Sequence, residues 1–396
     1  MSEATRYTLV DLGIINALGS GKESVLANFL AGHAPGMAPA ADWLPNRELV
    51  CGQVLAELPA LPAELAQFGC RNNRLLLAAL EQIAGPVAEA ISRFGRQRVG
   101  AVIGSSTSGI LEGERALAAQ AATGAVPAGY HYRQQEIGTS AVFVGHYLGL
   151  QGPCYTVSTA CSSSAKAFAS ARNLLELNLC DAVIVGGSDS LCKLTINGFS
   201  ALESVSPTLC NPFSRNRQGI TIGEAAALFL MMRGDGPVAL LGVGEASDAH
   251  HISAPHPEGV GAASAMRGAL NDAGLAPEAI DYLNLHGTAT PQNDAMESLA
   301  VAEVLGLQVP CSSTKPLTGH TLGAAGATEV GLCWLLASQA QGEALLPAQL
   351  WDGEPDPALP TIALSTGVRR PSPPRYLMSN SFAFGGSNCS VIIGRE

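Results

Sequence analysis

Apolar residues occur along the chain in two patterns, short unbroken runs and longer stretches in which they recur every three or four positions. The runs predict strands buried on both faces, and the recurring spacing predicts helices with one buried face. In the first part of the chain the predicted strands lie at 7–15, 99–103, 155–157, 182–187 and 225–232. The predicted helices there lie at 21–30, 71–90 and 165–177. Residues 34–64 show no clear period and are predicted to form a loop region.

The same alternation restarts after a short polar joint at 233–237, which is a candidate domain boundary. Further strands are predicted at 238–243, 280–285, 376–380 and 389–393, and further helices at 261–273, 295–305 and from 322 onward. Alternating strands and helices predict an α/β fold with largely parallel strands. The two similar series predict an N-terminal half at 1–234 and a C-terminal half at 235–396, related by an ancient duplication.

The amino-acid composition adds little to the fold prediction, but it argues against several classes of function. Hydrophobic residues make up 47% of the 396 positions and charged residues 14%, which is typical of a well-buried globular enzyme. A net charge of −11 without a run of Lys and Arg argues against nucleic acid as a partner. Residues 1–18 lack the apolar stretch of a signal peptide. The longest apolar helix, 322–337, contains Glu329 and is too short for a membrane span.

The ten cysteines are spread along the chain and are never closer than seven positions. This spacing disfavours zinc ribbons and thioredoxin-type chemistry, which need two cysteines close together. Scattered thiols without an export signal predict a reducing, cytoplasmic location.

Cys161 lies in the segment 156–164, where a predicted strand turns into an Ala-rich helix through small residues alone. A thiol at a helix N-terminus lies near the positive end of the helix dipole, which favours the thiolate. We therefore expect an accessible nucleophile at this turn. The alternative is a buried core cysteine, because free cysteine is among the most buried residue types.

His286 follows the predicted strand 280–285, at the kind of strand end where α/β folds bind ligands. Thr288 and Thr290 beside it carry hydroxyls that can hold an amide-bearing substrate arm. A lone histidine in such a place is more often a structural residue. Asp294 and Glu297 have the spacing of a capping box for the next helix, so a structural role is expected for both acids.

His320 also precedes a predicted helix, whose dipole favours the neutral imidazole that can donate a hydrogen bond to an oxyanion. Lys315 lies shortly before His320, and Glu329 lies inside the apolar helix, where an unpaired carboxylate is costly. We expect these two residues to form a buried pair that fixes His320. The simpler alternative is a solvated lysine and a carboxylate bound by backbone groups.

Phe382 and Phe384 lie in a turn that contains two glycines. They are either core anchors, which is the commoner case, or parts of a movable gate. Backbone N–H groups in such a turn can bind an oxyanion. One cysteine, two histidines and such a turn form the set required for acyl transfer followed by carbanion chemistry.

Four motifs, TACSSS, HGTATPQND, STKPLTGHTLGAAGATE and SNSFAFGGSN, occur in the order found in the β-ketoacyl-acyl-carrier-protein synthases. The chain resembles the elongating Cys-His-His branch of this family, within the thiolase superfamily, nearly from end to end. The resemblance implies a thiolase-like five-layered αβαβα fold with two pseudo-repeated halves, and a dimer. It implies decarboxylative Claisen condensation in fatty acid, aryl polyene or related polyketide biosynthesis.

For single residues the resemblance implies that Cys161 is the nucleophile that holds the acyl chain as a thioester. It implies that His286 and His320 serve the decarboxylation of malonyl-acyl carrier protein. Lys315 and Glu329 match a supporting ion pair of the family.

The backbone N–H groups of the nucleophile and of Phe384 match the oxyanion hole, and Phe384 also matches a gate residue. Thr288 and Thr290 match threonines that contact the pantetheine arm of the carrier protein. Asp294 and Phe382 are expected to support the site. The resemblance implies no metal and no cofactor other than the phosphopantetheine on the carrier protein. The expected partners are an acyl carrier protein and a second subunit, identical or related.

Three departures from the family pattern bear on the substrate. Ala383 stands where glycine is usual, so the gating loop is expected to swing less freely, and Ser253 stands where threonine is common. Residues 130–136 are much more polar than the usual segment near the dimer interface and acyl pocket. An ordinary saturated fatty-acyl substrate is therefore in doubt, and the chain is similar to ketosynthases of aryl polyene or other type II polyketide clusters.

Two other interpretations are weighed against catalysis of condensation. A non-catalytic, chain-length-setting subunit characteristically lacks the nucleophile, whereas this chain retains it and is also compatible with the active half of such a pair. A degradative thiolase needs a second catalytic cysteine, for which Cys389 is the candidate.

A metal site at His250, His251 and His256 is less favoured than a role of these residues in lining a channel. The predicted docking patch for an acidic carrier protein consists of Arg71, Arg74, Arg215 and Arg217.

Overall fold

The computed structural model describes residues 6–44 and 47–395. Its α-helices are α1 Lys22–Ala31, α2 Arg71–Gln82, α3 Ala84–Phe94, α4 Ile110–Thr123, α5 Thr139–Leu148, α6 Ser163–Glu176, α7 Lys193–Ala201, α8 Val260–Ala273, α9 Pro291–Val304, α10 Lys315–Thr318 and α11 Ala325–Ala337. Its strands are β1 Tyr7–Asn16, β2 Gly19–Ser20, β3 Met37–Leu44, β4 Arg47–Gly52, β5 Val99–Gly104, β6 Cys154–Val157, β7 Ala182–Asp189, β8 Ala225–Arg233, β9 Ala239–Ser247, β10 Tyr282–Leu285, β11 Cys311–Ser313, β12 Ala344–Leu345, β13 Arg369–Arg370, β14 Tyr376–Ala383 and β15 Ser387–Gly394.

The main sheet consists of two halves with the same strand order. The first half runs β1-β8-β7-β5-β6 and the second runs β9-β15-β14-β10-β11. Numbered along the chain, the five strands of the first half are β1, β5, β6, β7 and β8, and those of the second are β9, β10, β11, β14 and β15. In each half the fourth strand pairs antiparallel with the fifth, and the fifth pairs antiparallel with the first. The second strand pairs parallel with both the third and the fourth. The halves meet where β1 and β9 pair at Tyr7–Leu240 and Thr8–Ala239. This repeat of topology places corresponding loops of the two halves at comparable positions.

Helices cover both faces of each half and form five layers. One apolar cluster joins α2, α3 and α5 to the outer face of the first half, and another joins α8 and α9 to the outer face of the second. The largest cluster lies between the halves and contains α6 and α11. Every residue of α11 is buried, as expected for a helix that is apolar all round. Gly326 of α11 faces Ala165 of α6 so closely that a Cβ there would lie 2.6 Å from the Ala165 nitrogen.

Several sequence-based predictions differ from the structure. The sheet is mixed rather than largely parallel, because the antiparallel pairs of β8 and β15 lie at the centre. Residues 34–64 contain the hairpin β3–β4 and are not only loop. The helix predicted at 71–90 is two helices, which break at Ile83 shortly before Pro86. Proline lacks an N–H and clashes with the carbonyl four residues earlier, so one continuous helix is disfavoured there.

Residue 234, the predicted end of the N-terminal half, falls in the connection between β8 and β9. Within the described part of the chain, no single helix is long and apolar enough to cross a membrane. The pair α2 and α3 reaches the required length and composition only together and is bent by 76°.

Candidate active site

Cys161 lies on a tight turn between β6 and α6. Ala160 adopts a left-handed conformation with φ of +52°, which small residues tolerate best. The Ser163 hydroxyl donates to the Ala160 carbonyl at 2.5 Å and accepts from the Thr159 N–H at 2.9 Å. These bonds reverse the chain between strand and helix and place Cys161 on the wall of a cavity.

The surroundings of the Cys161 thiol favour its protonated form. Burial raises the pKa of the thiol to about 11, although the charge of Lys315 and the N–H groups of Phe384 and Cys161 itself lower it. The helix N-terminus was expected to favour the thiolate, but the residue is only 5% exposed, and this desolvation acts in the opposite direction. These two N–H groups, which donate to the sulfur, are also close enough to donate to the carbonyl oxygen of a thioester, which becomes the oxyanion when the sulfur attacks the carbonyl carbon.

His320 directly contacts the nucleophile, with its Nε2 atom 3.0 Å from the Cys161 sulfur. The residue lies between α10 and a 3₁₀ turn at Leu322–Ala324. Its backbone is held by Thr221 and Gly223: the His320 N–H donates to the Thr221 carbonyl at 2.6 Å, and the Gly223 N–H donates to the His320 carbonyl at 3.0 Å. Burial lowers the pKa of His320 well below its usual value, and Lys315 lowers it further. The neutral imidazole can thus accept the thiol proton.

His286 lies beside His320, with their ring centroids 5.3 Å apart and their planes nearly perpendicular. Lys315 donates to Glu329 at 2.6 Å, and both are almost fully buried. The Lys315 Nζ lies 3.5 Å from the Nδ1 of His286. Burial lowers the pKa of His286 well below its usual value, with Lys315 and His320 adding to the effect. The predicted Lys315–Glu329 pair is present. The histidine within hydrogen-bonding distance of Lys315 is His286, however, and not His320 as expected.

The two acids behind the His286 loop are not a capping box. The N-cap of α9 is Thr290, whose side chain accepts from the Asn293 N–H. Asp294 accepts from the N–H groups of Phe213 at 2.7 Å and Ala289 at 3.1 Å. The acids turn inward because they satisfy buried loop N–H groups that have no strand partners.

Glu297 performs the same function directly at the histidine. It accepts from the N–H groups of His286 at 2.8 Å and Gly287 at 2.7 Å, and from the Asn380 amide at 3.3 Å. Burial raises the pKa of Glu297 to about 7 and that of Asp294 to about 6. A structural role was expected for both acids. The structure shows what that role is: they bind backbone N–H groups and so position the loop that carries His286, Thr288 and Thr290.

A cavity of about 160 Å³ leads from the surface to the sulfur. Its wall is formed by Cys161, Phe199, Leu202, Ser204, Ile220, Ser253, Ala254, Pro255, His286, Thr288, Thr290, Gln292, Asn293, His320, Phe382, Ala383, Phe384 and Asn388. The Thr288 and Thr290 hydroxyls lie 3.0 Å apart on this wall. Phe384 packs on Phe199, with ring centroids 5.3 Å apart. The two threonine hydroxyls can form hydrogen bonds with the amides of an extended substrate arm.

Phe382 and Phe384 have different surroundings in the same turn. Phe382 is buried and lies edge-on to His286, with ring centroids 6.0 Å apart. Phe384 contributes its N–H to the sulfur and its ring to the cavity wall. Phe382 is thus the more buried of the two, and Phe384 lies between the cavity and Phe199. The sequence did not single out Phe199, because nothing in its local pattern reports a contact with a residue so distant in the chain.

The predicted arginine patch does not form one exposed surface. Arg71 binds the buried Glu224, Arg74 donates to the backbone carbonyls of residues 58 and 59, and Arg217 pairs with Asp356 and is 9% exposed. Arg215 is more than half exposed and pairs with Glu354. Three of the four arginines therefore hold loops of the chain together.

The histidine-rich segment 250–256 contributes different residues to the cavity from those expected. Ser253, Ala254 and Pro255 line the wall, while His250 and His256 pack on each other with ring centroids 5.0 Å apart. The Nδ1 atom of His251 accepts from the N–H groups of Ser253 and Ala254. Among the described residues no group of three or more His, Cys, Asp or Glu has the geometry of a metal site.

Comparison with known proteins agrees with this geometry. Residues 73–235 match the N-terminal domain of β-ketoacyl synthases, and residues 238–343 match the C-terminal domain. Nodulation protein E of Rhizobium meliloti is 36% identical over 360 residues, which is 85% of this chain and 86% of that protein. The 3-oxoacyl-[acyl-carrier-protein] synthase 2 of Staphylococcus aureus (strain COL) is 34% identical over 263 residues, 62% of each chain.

A chain in the solved structure of the ketosynthase ApeO in complex with its chain length factor ApeC, from Xenorhabdus doucetiae, superimposes with a TM-score of 0.94. It is 50% identical, and the match covers 100% of this chain and 99% of that one. The fold and the cysteine–histidine cavity thus define a ketosynthase of thiolase-like fold. The chain belongs to the β-ketoacyl synthase family, and the predicted family and fold are confirmed.

Proposed function

We propose that the chain is an elongating β-ketoacyl-acyl-carrier-protein synthase that condenses malonyl-acyl carrier protein with an acyl chain held on Cys161. One observation carries the proposal: the Cys161 sulfur lies 3.0 Å from the Nε2 atom of His320 in the cavity that a second buried histidine, His286, also lines. A nucleophile with an adjacent base and a further hydrogen-bond donor is suited to acyl transfer and to stabilising an enolate.

In the first half-reaction the Cys161 sulfur attacks the carbonyl carbon of an acyl thioester on the carrier protein. Nε2 of His320 takes the thiol proton as the carbon–sulfur bond forms, and the developing oxyanion lies against the N–H groups of Cys161 and Phe384. The bond to the pantetheine sulfur then breaks, and that sulfur leaves with the proton from His320. The acyl chain remains on the enzyme as a thioester.

In the second half-reaction malonyl-acyl carrier protein enters the same cavity, with the amides of its pantetheine arm at Thr288 and Thr290. The bond to the free carboxylate breaks and carbon dioxide leaves, while its electron pair forms an enolate. His286 and His320 are neutral because they are buried beside Lys315. An N–H of His286 stabilises the enolate oxygen, and His320 joins it in the tautomer that carries the proton on Nε2, the nitrogen that faces the sulfur. The enolate carbon attacks the acyl carbonyl, the Cys161 thiolate leaves, and solvent restores its proton.

Acyl transfer to Cys161 is tested by intact-protein mass spectrometry after mixing the chain with acyl-loaded carrier protein. The wild-type chain is expected to gain the mass of the acyl group, whereas Cys161→Ala gains none. Cys154→Ala is the matched control, because Cys154 is a partly buried free thiol on β6 outside the cavity. Acyl transfer to Cys161→Ala at the wild-type rate would contradict the proposal.

We further propose that the active assembly pairs this chain with a related, non-catalytic chain length factor. The support is the 50% identity to a chain of the ApeO–ApeC complex over the full length. The strand β6, which leads into Cys161, is the last strand of its half of the sheet, and an open sheet edge favours pairing with another chain. Tyr155 on β6 and Val142 on the neighbouring α5 are each 37% exposed, which is suited to an apolar interface.

Co-expression with a neighbouring homologue that lacks the nucleophile tests this pairing. Native mass spectrometry is expected to find one copy of each chain, and the pair should condense at least tenfold faster than this chain alone. A homodimer of this chain with the same activity as the pair would contradict the heterodimer and leave the condensation proposal intact.

Cofactor and location follow as further parts of the proposal. We place the chain in the cytoplasm, supported by ten unpaired cysteines. The chemistry proposed above uses the thiol, the two imidazoles and the backbone N–H groups, so it requires only the phosphopantetheine of the carrier protein.

A further inference from the structure

Asp189 is a fully buried carboxylate at the end of β7, close to the active site and unused by the mechanism above. One of its oxygens accepts from the Ser105 hydroxyl at 2.7 Å and from the hydroxyl and N–H of Thr107 at 2.8 and 2.9 Å. The other accepts from the Ser106 hydroxyl at 2.7 Å and the Gly323 N–H at 2.6 Å. The Ser106 N–H lies 3.0 Å from both oxygens. Six donor groups from two loops thus converge on one side chain.

The Gly323 bond ties Asp189 to the turn that follows His320. Leu322 in this turn has a φ of +54°, a conformation that side chains other than glycine seldom adopt without support from their surroundings. Gly323 has no space for a side chain, since a Cβ would lie 2.6 Å from the Ser106 nitrogen and 2.7 Å from an Asp189 oxygen. The turn is therefore pressed against the 105–107 loop, and Asp189 bridges the two.

On its other side His320 is held by the backbone bonds to Thr221 and Gly223. The backbone that carries the His320 ring is thus held twice, by a β-bridge at the residue itself and by the bond from the Gly323 N–H to Asp189 three positions later. Its Nε2 atom lies 3.0 Å from the Cys161 sulfur, and a displacement of about 1 Å in such a contact can lower a rate about 100-fold.

We infer that Asp189 is a positioning residue for His320, which clamps the Leu322–Gly323 turn to the 105–107 loop and thereby sets the His320–Cys161 contact. The inference rests on the proposed function only for the use that the reaction makes of this contact. The contact itself controls how readily the Cys161 thiol loses its proton, and alkylation of the sulfur reports that property without carrier protein or malonyl thioester.

A double-mutant cycle tests whether Asp189 acts through His320. The rate of alkylation of Cys161 by iodoacetamide at pH 7 is measured by intact-protein mass spectrometry in four forms: wild type, Asp189→Asn, His320→Ala and the double variant. Asp189→Asn is expected to lower the rate roughly tenfold or more in the wild-type background. In the His320→Ala background it should change the rate less than twofold, because the contact that Asp189 sets is already gone.

The matched control is Asp281→Asn. Asp281 also accepts backbone N–H groups, those of Arg375 and Tyr376, but it lies at the opposite end of β10 from His286. Its loss is expected to leave the alkylation rate within twofold of wild type. The inference is overturned if Asp189→Asn lowers the rate by the same factor in both backgrounds, or leaves it unchanged in the wild-type background.

Ser106→Ala keeps the test decisive if Asp189→Asn fails to fold. The Ser106 hydroxyl donates to Asp189 and lies 3.1 Å from the Gly323 nitrogen, so its removal loosens the clamp without removing the carboxylate. We expect a three- to tenfold slower alkylation that disappears in the His320→Ala background. An unchanged rate in the wild-type background, or an equal loss in both, overturns the inference.

Discussion

At the scale of single residues, desolvation controls the protonation of the nucleophile and of both histidines. Burial raises the pKa of the Cys161 thiol to about 11, so the protonated form predominates at pH 7. A base in contact with the sulfur is therefore required, and the same burial keeps His320 neutral and able to act as one. The site thus holds a thiol rather than a thiolate at rest, with the His320 imidazole at hydrogen-bonding distance as its proton acceptor.

The depressed pKa of His320 predicts a pH dependence of stability. A histidine whose pKa is lower in the folded chain stabilises the fold above its unfolded pKa of about 6.5, and that contribution is lost as the pH falls toward the folded pKa. The difference in free energy of unfolding between wild type and His320→Asn should therefore change against wild type by about 1.4 kcal/mol per pH unit below 6.5. Urea denaturation from pH 7.5 to 5.0 measures this difference. A difference that stays constant over the range would show that His320 titrates normally.

The residues that carry the chemistry could be predicted from the sequence, whereas those that position them could not. Cys161, His286 and His320 each lie in a distinctive local motif at an element end. Asp189 lies in an ordinary strand end, and its partners are more than 80 positions away in both directions. Lys315 and Glu329 were paired correctly because both lie in one motif. Their contact with His286 rather than His320 depends on the parallel pairing of β10 with β11, which no local pattern shows.

At the scale of elements, the central layer is the least tolerant part of the fold. The helix α6 follows Cys161 in the chain, and α11 follows His320. The two helices are in close contact at Ala165 and Gly326. Small residues at this crossing let the nucleophile and its base approach, because a larger side chain would separate the two helices. The Ala- and Gly-rich sequence of these helices was a visible signal, but which glycine lies at the crossing was not.

Gly326→Ala should destabilise the chain more than Gly331→Ala in the same helix. The new methyl at 326 would lie 2.6–2.9 Å from the backbone and Cβ of Ala165, which cannot move independently of α6. The methyl at 331 would meet the flexible ends of Ile14 and Leu12 at 3.1 Å or more. We expect a loss of about 1–3 kcal/mol for Gly326→Ala and less than about 1 kcal/mol for Gly331→Ala, by chemical denaturation. Equal losses would contradict the close crossing.

At the scale of the whole molecule, the repeated strand order explains where the site is built. Cys161 follows the third strand of the first half, and Lys315 and His320 follow the third strand of the second. His286 follows the second strand of its half, as the 105–107 loop does in the first. Two copies of one topology, packed through α6 and α11, bring equivalent loops together around one cavity.

The sequence predicted two βα series, yet it did not predict the strand directions. Both faces of the sheet halves are covered by helices, so antiparallel strands such as β7 and β8 have the same continuous apolar pattern as parallel ones. The hairpin β3–β4 was also missed, because its Ala- and Pro-rich sequence lacks the alternation that identifies a half-buried strand. Global topology in this chain is set by the packing of layers, which a local pattern does not report.

The central claim is that Cys161 holds the acyl chain while His286 and His320 generate the attacking carbon from malonyl thioester. Its most direct measurement extends the mass experiment: the trapped acyl-enzyme is chased with malonyl-acyl carrier protein whose free carboxylate is isotopically labelled. The wild-type chain is expected to lose the acyl mass, release one labelled carbon dioxide and form one β-ketoacyl thioester per turnover, whereas His286→Ala keeps the acyl mass. Release of the chain as a free acid without carbon–carbon bond formation, or turnover of His286→Ala at the wild-type rate, would contradict the claim.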